Sequence, residues 1–364
     1  KRTICTAQFC VTHWPTAMRG RYNPHNFCPR LPTWPFCQRT DTLGPVFPGF
    51  LCDRRGNERL GRRGVPLMTF EWPNKARLAM SFVINIEEGS EMSILRGDKG
   101  PEPVDELGVT LKIPIRNYAN ESNYQYGIRA GAKRVFGAFE KAQIKTTVTA
   151  AAQSLENAPE VAKMIVDGGH ETCSHGWRWV HQFSFKEDRE RAFIQKAIDS
   201  IKATTGLRPL GWLSRYMHTD ITRALLAEMG FEYHMDDFSD DTPHWDVVDT
   251  PKGPKPIVIV PYALDTNDMK FWLAPGYTPE QWLDYAIATF DRLYAEADDG
   301  VPRLMSLGLH LRIIGRPGRI GALENFILHV QSKPDVWCAS RLDIARAFSS
   351  SVPAPTSATV METK

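Results

Sequence analysis

The feature of this sequence that most limits its fold is a regular alternation of strand-like and helix-like segments. Short apolar or β-branched runs, typical of buried strands, alternate with longer segments whose apolar residues recur at helical spacing. Thr278 and Gln281 predict a capping box at the start of one of these helices. The predicted strands are 78–86, 143–150, 231–235, 257–262, 303–310 and 336–339, and the predicted helices are 129–141, 157–167, 187–205, 220–229, 279–297, 320–331 and one from residue 342.

This alternation predicts an α/β fold, because strands joined by helices pair in parallel. No GxGxxG turn follows a predicted strand, so we predict a closed or nearly closed (β/α) barrel of about seven units rather than a Rossmann sheet. In a barrel of this kind the chemistry lies at the carboxyl ends of the strands.

The two ends of the chain differ from its centre. Residues 1–66 hold eleven lysines and arginines against three acidic residues, together with five of the seven cysteines. Their cysteine spacing matches no zinc site. We therefore predict a basic extension containing Pro and Cys at 1–66, a catalytic barrel domain at 67–348 and a flexible tail at 349–364, where the sequence SSSVPAPTSAT begins.

Charge and hydropathy limit the partners and the location of the chain. The formal net charge of the whole chain is +2, so the part that follows the basic extension is mildly acidic and is not expected to bind nucleic acid. No run approaches the roughly 18 uncharged apolar residues that a membrane span needs. The first residues lack the compact apolar stretch of a secretory signal, so we expect none. We expect a soluble, cytoplasmic protein that binds neither nucleic acid nor membranes.

Four predicted strand ends carry polar residues that a packed core would not choose. They are NIEEGSE at 85–91, ETCSHGWRWVH at 171–181, GWLSRY at 211–216 and SLGLH at 306–310. A solvated turn or a structural histidine would explain each of them alone. Together they bring two carboxylates, two imidazoles and an arginine to one edge of the barrel. That set supplies the base, the acid and the oxyanion stabiliser that hydrolysis of an amide requires.

These segments, together with PYALDTNDMKF at 261–271 and LGLHLRIIGRPGR at 307–319, resemble the polysaccharide deacetylase (NodB-homology) superfamily and its allantoinase-like branch. The resemblance extends from about residue 72 to residue 347. It implies a distorted (β/α) barrel of the NodB-homology type and a hydrolase that acts on carbon–nitrogen bonds other than peptide bonds. It leaves residues 1–66 unexplained.

The resemblance also implies roles for individual residues. The paired acids of the first family motif correspond to Glu87 and Glu88 in one alignment and to Asn85 and Glu87 in another, so Glu87 is functional in both. In the His-x-x-x-His motif, His175 matches the first histidine, but Trp179 stands in place of the second. His310 matches the histidine that the family uses to protonate the leaving nitrogen.

The remaining site residues are assigned less directly. The arginine of the third motif is Arg215, with Arg208 as the alternative. The aspartate-rich motif falls among Asp236, Asp237, Asp240 and Asp241. We predict as catalytic residues Glu87, His175, His310 and Arg215, and as substrate-binding residues Asn85, Trp179, Trp212, Asp237 and Arg312.

The missing second histidine affects the expected cofactor. One carboxylate and one imidazole are a poor ligand set for zinc, which takes three protein ligands in catalytic sites, so no cofactor is expected. If a divalent metal does bind, Glu88 and His175 are its candidate ligands. His181 lies two residues beyond the position of the missing second histidine. Without a metal, Glu87 or His175 must activate water, and backbone donors or Arg215 must hold the oxyanion.

We predict hydrolysis of an amide bond in a small cyclic amide or ureide such as allantoin. One alternative is a metal-dependent N-deacetylase of a polysaccharide or oligosaccharide. Another is an inactive homologue that binds carbohydrate on Trp177, Trp179, Trp212 and Trp245. The resemblance also implies a homo-oligomer, and we expect the apolar residues 271–273 to form an interface or to line the pocket.

Overall fold

The computed structural model describes residues 70–106, 108, 113–271, 273 and 276–355, so the predicted N-terminal extension lies outside the described residues. The strands are β1 (Leu78–Ile86), β2 (Thr147–Ala150), β3 (Glu171–Ser174), β4 (Gly211–Trp212), β5 (Tyr233–His234), β6 (His244–Thr250), β7 (Gly253–Ile259), β8 (Arg303–His310) and β9 (Val336–Cys338). The α-helices are α1 (Tyr118–Tyr126), α2 (Ala132–Ala142), α3 (Ala152–Asn157), α4 (Pro159–Asp167), α5 (Glu187–Thr205), α6 (Thr222–Glu228), α7 (Pro279–Glu296), α8 (Pro317–Gln331) and α9 (Arg341–Ser351).

Seven strands form a parallel sheet in the order β7-β5-β4-β3-β2-β1-β8, with β6 antiparallel to β7 and β9 paired with the start of β1. The predicted α/β fold of about seven units is confirmed. Within the described residues no backbone ladder joins β8 to β7, so the barrel is distorted on that side.

Side chains bridge the gap between β8 and β7. The guanidinium of Arg341, which is fully buried, donates to Ser306 Oγ on β8 (2.6 Å) and to the carbonyl oxygens of Val260 and Pro261 after β7. Thr266 Oγ donates to the Ser306 carbonyl at 2.6 Å. These bonds replace the missing ladder and satisfy backbone groups that would otherwise be buried without partners.

Strand β1 lies between β2 and β8 in the sheet and positions the first acidic residues of the site. All nine of its residues are buried, because β2 and β8 cover its edges and side chains cover both faces. Met80, Phe82 and Ile84 belong to the main apolar cluster beneath the helices, whereas Ala79 and Val83 face a second cluster. Side chains alternate along a strand, so Asn85 shares the face of Ala79 and Val83.

Several boundaries differ from the sequence prediction. Strand β2 begins at Thr147 rather than at 143, because Gln143 adopts a left-handed conformation (φ 55°) at the end of α2. The hairpin of β6 and β7 was not predicted, since its first strand is a half-exposed edge with few strongly apolar residues. Helix α9 continues to Ser351, three residues into the segment predicted as a flexible tail.

The apolar patch predicted at 271–273 is not an exposed surface as a whole. Phe271 is 8% exposed and stacks on Trp282 with ring centroids 5.6 Å apart, so it belongs to the core. Leu273 is exposed, and residue 272 lies outside the described residues. Among the helices in the described part of the chain, none has the length and apolar character needed to cross a bilayer.

Candidate active site

The carboxyl ends of the parallel strands surround a pocket of about 490 Å³, a volume that includes space open to solvent. The side chains of Glu87, His175 and His310, which follow three different strands, all line it. The structure therefore brings together the three residues that the sequence placed at separate strand ends.

Glu87 and His310 form a charged pair in the wall of the pocket. Glu87 Oε1 lies 3.2 Å from His310 Nε2, and both side chains are almost fully buried. Burial opposes ionisation of Glu87, but the charges of Arg312 and His310 hold its pKa well below the ordinary value. Burial alone would lower the pKa of His310, but Glu87 and Asp268 raise it to about 10. At neutral pH the pair is therefore a carboxylate and an imidazolium.

Asp268, which lies in a short 3₁₀ turn, fixes the orientation of His310. Its carboxylate is fully buried and accepts hydrogen bonds from the Nδ1 and the backbone N–H of His310, each at 2.7 Å. A third bond comes from the backbone N–H of Ile314 at 3.1 Å. These contacts leave the Nε2–H of His310 directed toward Glu87.

Arg312 lies behind Glu87 and does not line the pocket. Its Nη1 is 2.8 Å from Glu87 Oε2 and 3.5 Å from Glu88 Oε1, and its Nε is 2.9 Å from Glu106 Oε1. We predicted that Arg312 binds substrate, but the structure places it where it balances the charge of buried carboxylates.

Glu88 also points away from the pocket. It accepts hydrogen bonds from the backbone N–H groups of Glu87 and Arg312, each at 3.1 Å. Burial raises its pKa, and Arg312 offsets this only in part. A Cβ atom on Gly127 would lie 2.5 Å from Glu88 Oε1, so a larger residue in the π-helical turn Gly127–Gly131 would displace this carboxyl.

Both ring nitrogens of His175 are occupied by other groups. Nδ1 donates to the carbonyl oxygen of Leu213 at 2.7 Å, and Nε2 accepts the indole N–H of Trp179 at 3.1 Å. Since a carbonyl can only accept and an indole N–H can only donate, His175 is a neutral ring with its proton on Nδ1. Glu87 Oε1 lies 3.8 Å from the same Nε2.

Arg215 lines the pocket, but its guanidinium is already engaged. It forms two hydrogen bonds with Glu102, at 2.5 and 3.0 Å, and donates to the Trp179 carbonyl at 2.7 Å. Its Cζ lies 3.7 Å from the centroid of a Trp179 ring. Through its two Nη atoms Arg215 therefore supports the tryptophan that contacts His175, whereas its buried Nε has no hydrogen-bond partner among the described residues.

Asn85 and Trp179 line the pocket, whereas Trp212 and Asp237 do not. Asn85 donates to Tyr262 Oη at 3.1 Å and accepts from Thr149 Oγ at 2.6 Å, so its amide is tied to the barrel wall. Trp212 is fully buried in the core and donates to Ser214 Oγ.

Asp237 binds Arg223 and Ser239 outside the pocket. Substrate contact by Trp212 or Asp237 is therefore not supported. Arg208, the alternative third-motif arginine, donates to backbone carbonyls around Gly230, also outside the pocket.

Comparison with known proteins identifies the family. The family model for polysaccharide deacetylase matches residues 122–234. A protein from Schizosaccharomyces pombe named "Putative polysaccharide deacetylase" is 35% identical over 312 residues, which are 80% of this chain and 97% of that protein. The chain belongs to the polysaccharide deacetylase family. The predicted resemblance is confirmed, and with it the enzyme class, a hydrolase acting on carbon–nitrogen bonds other than peptide bonds.

Two crystal structures are similar to this chain both in fold and in sequence. One is a probable polysaccharide deacetylase from Pseudomonas aeruginosa PAO1, with 41% identity, a TM-score of 0.73, and coverage of 78% of this chain and 94% of that chain. The other is the allantoinase PuuE, with 40% identity, a TM-score of 0.74, and coverage of 80% and 96%.

The pocket does not provide a good ligand set for a divalent metal. His175 Nε2 faces the Trp179 N–H, Glu87 is bound by Arg312, and Glu88 points away from the pocket. His181 packs against Tyr216, with ring centroids 5.8 Å apart. In the described part of the chain, no three His, Cys, Asp or Glu side chains converge as a metal site would require.

Sequence reasoning assigned no role to two of the groups that shape this site. Asp268 lies in the segment 261–271 that carried the family resemblance, so that motif was the available signal. Glu102 lies 113 residues before its partner Arg215 on an irregular loop, where no periodic pattern could have revealed the contact.

Proposed function

We propose that this protein hydrolyses a carbon–nitrogen bond in a small cyclic amide or ureide such as allantoin. The observation that carries the proposal is the pairing of the Glu87 carboxylate with the His310 imidazolium inside a small pocket, next to a His175 ring that Trp179 holds neutral. The 40% identity to the allantoinase PuuE over nearly all of that chain supports this substrate class.

Glu87 is the base that accepts the proton of the attacking water. Its carboxylate stays ionised because Arg312 and His310 lie next to it, and Oε1 is the oxygen that faces the two imidazoles. His175 is the alternative base. Its Nε2 would have to exchange the Trp179 N–H for a proton from water, so Glu87 is the better placed of the two.

His310 is the acid that protonates the leaving nitrogen. Water oxygen bonds to the carbonyl carbon while its proton passes to Glu87, and the carbon–nitrogen bond then breaks as Nε2–H of His310 gives its proton to the nitrogen. Glu87 Oε1 is 3.2 Å from that nitrogen atom of His310. Transfer of one proton from Glu87 to His310 then restores the starting state.

Both Nη atoms of Arg215 are engaged, so backbone groups are the candidate donors to the oxyanion. The backbone N–H groups of Arg215 and Tyr216 form no hydrogen bond with any described residue, and both residues line the pocket. Tyr216 has a left-handed backbone conformation (φ 61°) and is half exposed. Strained backbone of this kind is concentrated at functional sites. We assign oxyanion stabilisation to these two N–H groups.

A substrate screen tests the proposal. Purified protein is incubated with allantoin, other cyclic amides and imides, and chito-oligosaccharides, and with a His310→Gln control under the same conditions. We expect ring opening of one or more cyclic substrates by the wild type and loss of that activity in the variant. Deacetylation of the oligosaccharides with inert cyclic amides would overturn the proposal.

A second candidate function is N-deacetylation of an oligosaccharide. It is favoured by an adjoining cavity, lined with Asp240, Asp241 and Asp265, that shares Phe238 and Tyr262 with the pocket and could extend a binding cleft. The same screen separates the two functions, since the second one predicts release of acetate from chito-oligosaccharides.

A carbohydrate-binding protein without activity is less well supported. Of the four tryptophans expected to form stacking platforms, Trp179 lines the pocket, but Trp177, Trp212 and Trp245 do not. The expected homo-oligomer, the cytoplasmic location and the absence of nucleic-acid and membrane partners stay predictions. Light scattering at micromolar concentration tests the first of these.

A further inference from the structure

Besides Glu87, the pocket contains a second carboxylate, which the mechanism does not use. Asp236 follows β5, is 7% exposed, and lines the same pocket as Glu87 and His310. Much of the remaining wall near it is apolar and includes Leu213 and Phe238. A buried carboxylate in such surroundings needs hydrogen-bond donors. The donors that the protein supplies show how many of its lone pairs are still free for a ligand.

Two groups of the protein hold Asp236 in place. The backbone N–H of Ser214 donates to both carboxylate oxygens, at 2.8 and 3.1 Å, and His234 Nε2 donates to Oδ2. His234 Nδ1 in turn accepts a hydrogen bond from Arg223 Nε at 3.2 Å, so this imidazole is neutral. Burial opposes ionisation of Asp236, but His234 and the Ser214 N–H outweigh it and lower its pKa.

The Asp236 carboxylate therefore has accepting capacity left. A carboxylate offers about four lone-pair sites, and the backbone N–H and side chain of Ser214 together with His234 use only part of them. A rigid, ionised acceptor in the wall of a small pocket suits a ligand that presents N–H groups. Cyclic ureides carry N–H groups next to the carbonyl that is attacked.

We propose that Asp236 is the substrate-recognition residue of this site and accepts hydrogen bonds from the N–H groups of a cyclic ureide or amide. This inference rests on the proposed function. It assigns to Asp236 the recognition role that the sequence gave to Asp237, whose carboxylate instead binds Arg223 and Ser239. The two neighbouring aspartates therefore provide a matched pair of variants.

The test compares Asp236→Asn with Asp237→Asn, with allantoin and hydantoin as ligands. The N-methyl derivatives of hydantoin, each of which lacks one N–H, are used as further ligands. Asparagine keeps the shape but removes the charge and half of the accepting capacity. We expect Asp236→Asn to raise KM, or the Kd of hydantoin measured by calorimetry, roughly 10- to 100-fold, with a smaller change in kcat. The Asp237→Asn values should stay near those of the wild type.

N-methylation provides a second measurement that needs no variant. The wild type should bind at least one N-methyl hydantoin roughly 10- to 100-fold more weakly than hydantoin, and Asp236→Asn should lose most of that discrimination. If Asp236→Asn does not fold, as judged by circular dichroism, equal binding of hydantoin and all its N-methyl derivatives by the wild type overturns the inference.

Failure of this inference is distinguishable from failure of the proposed function. A wild type that turns over cyclic ureides, with Asp236→Asn indistinguishable from Asp237→Asn, would overturn the role of Asp236 alone. A wild type that neither binds nor hydrolyses any of these compounds would overturn both. Binding without turnover, weakened in Asp236→Asn, would keep the recognition role and remove the proposed reaction.

Discussion

The carboxylate of Asp268 holds His310 at two points, because it accepts both the ring Nδ1–H and the backbone N–H of the same residue at 2.7 Å. The first bond stabilises the charged ring and the second fixes the end of β8. Asp268 therefore sets the orientation and the protonation of His310 together, although it does not line the pocket itself.

This contact predicts the effect of Asp268→Asn. The charge of Asp268 is one of the interactions that raise the pKa of His310 to about 10. The rate should fall as pH rises through that pKa, because the protonated ring is the acid. In Asp268→Asn we expect the alkaline limb of the kcat profile to move to lower pH.

Asp265→Asn is the matched control for this experiment. Asp265 lies three residues earlier and accepts a hydrogen bond from Tyr285 Oη at 2.8 Å, at an exposed position. The pH profile of Asp265→Asn should follow that of the wild type. An alkaline limb that stays in place in Asp268→Asn would show that Asp268 does not support the acid.

Replacement of His310 tests the acid itself. We expect His310→Gln to reduce kcat by about 10²- to 10⁴-fold, the usual contribution of a general acid, and to abolish the alkaline limb. The acid limb reports Glu87, whose lowered pKa should keep that limb well below pH 4.3, the ordinary pKa of glutamate. An alkaline limb unchanged in His310→Gln would remove this histidine from the acid role.

The sequence predicted those parts of the fold and site that depend on local patterns. The predicted bounds of α5 and β8 match the structure, because helical periodicity with a Gly206 end and an apolar run define them without help from tertiary contacts. Glu87, His175 and His310 follow buried strands, and parallel strands bring their carboxyl ends to one edge. These three were therefore found together.

The features of the fold and the site that the sequence could not predict depend on contacts between distant residues or on which face of a strand a side chain occupies. Strand β5 has only two residues, too few for the alternation of side chains to show whether Asp236 or Asp237 faces the pocket. We predicted Asp237, but Asp236 lines the pocket. Arg215 and Arg312 were expected to meet substrate. Their carboxylate partners, Glu102 and Glu106, lie more than 100 residues away in the sequence.

The position of Arg312 predicts a large effect on stability. It lies between Glu87 and Glu88, and all three side chains are almost fully buried. Arg312→Met should lower the free energy of unfolding by about 3–5 kcal/mol, because it leaves buried charge without a partner. Urea denaturation at pH 7 measures this value.

The control for Arg312→Met is Arg346→Met, which removes an exposed ion pair with Glu232. Pairs of this kind contribute little, so the control should unfold close to the wild-type midpoint. If the two variants have the same stability, the buried pairing around Arg312 does not carry the energy assigned to it.

The hydrogen bond from Trp179 to His175 predicts that activity does not depend on a metal. Dialysis against a chelator should leave kcat/KM unchanged, and added zinc should not raise it, because the indole N–H occupies the imidazole nitrogen that a metal would need. Trp179→Phe keeps an aromatic ring beside Arg215 but removes that N–H. We expect a lower kcat from a less well oriented His175. We expect no bound metal by elemental analysis, because Glu87 stays paired with Arg312 and Glu88 points away from the pocket. Activity lost on chelation and restored by one equivalent of zinc would contradict this mechanism and favour the metal-dependent deacetylase.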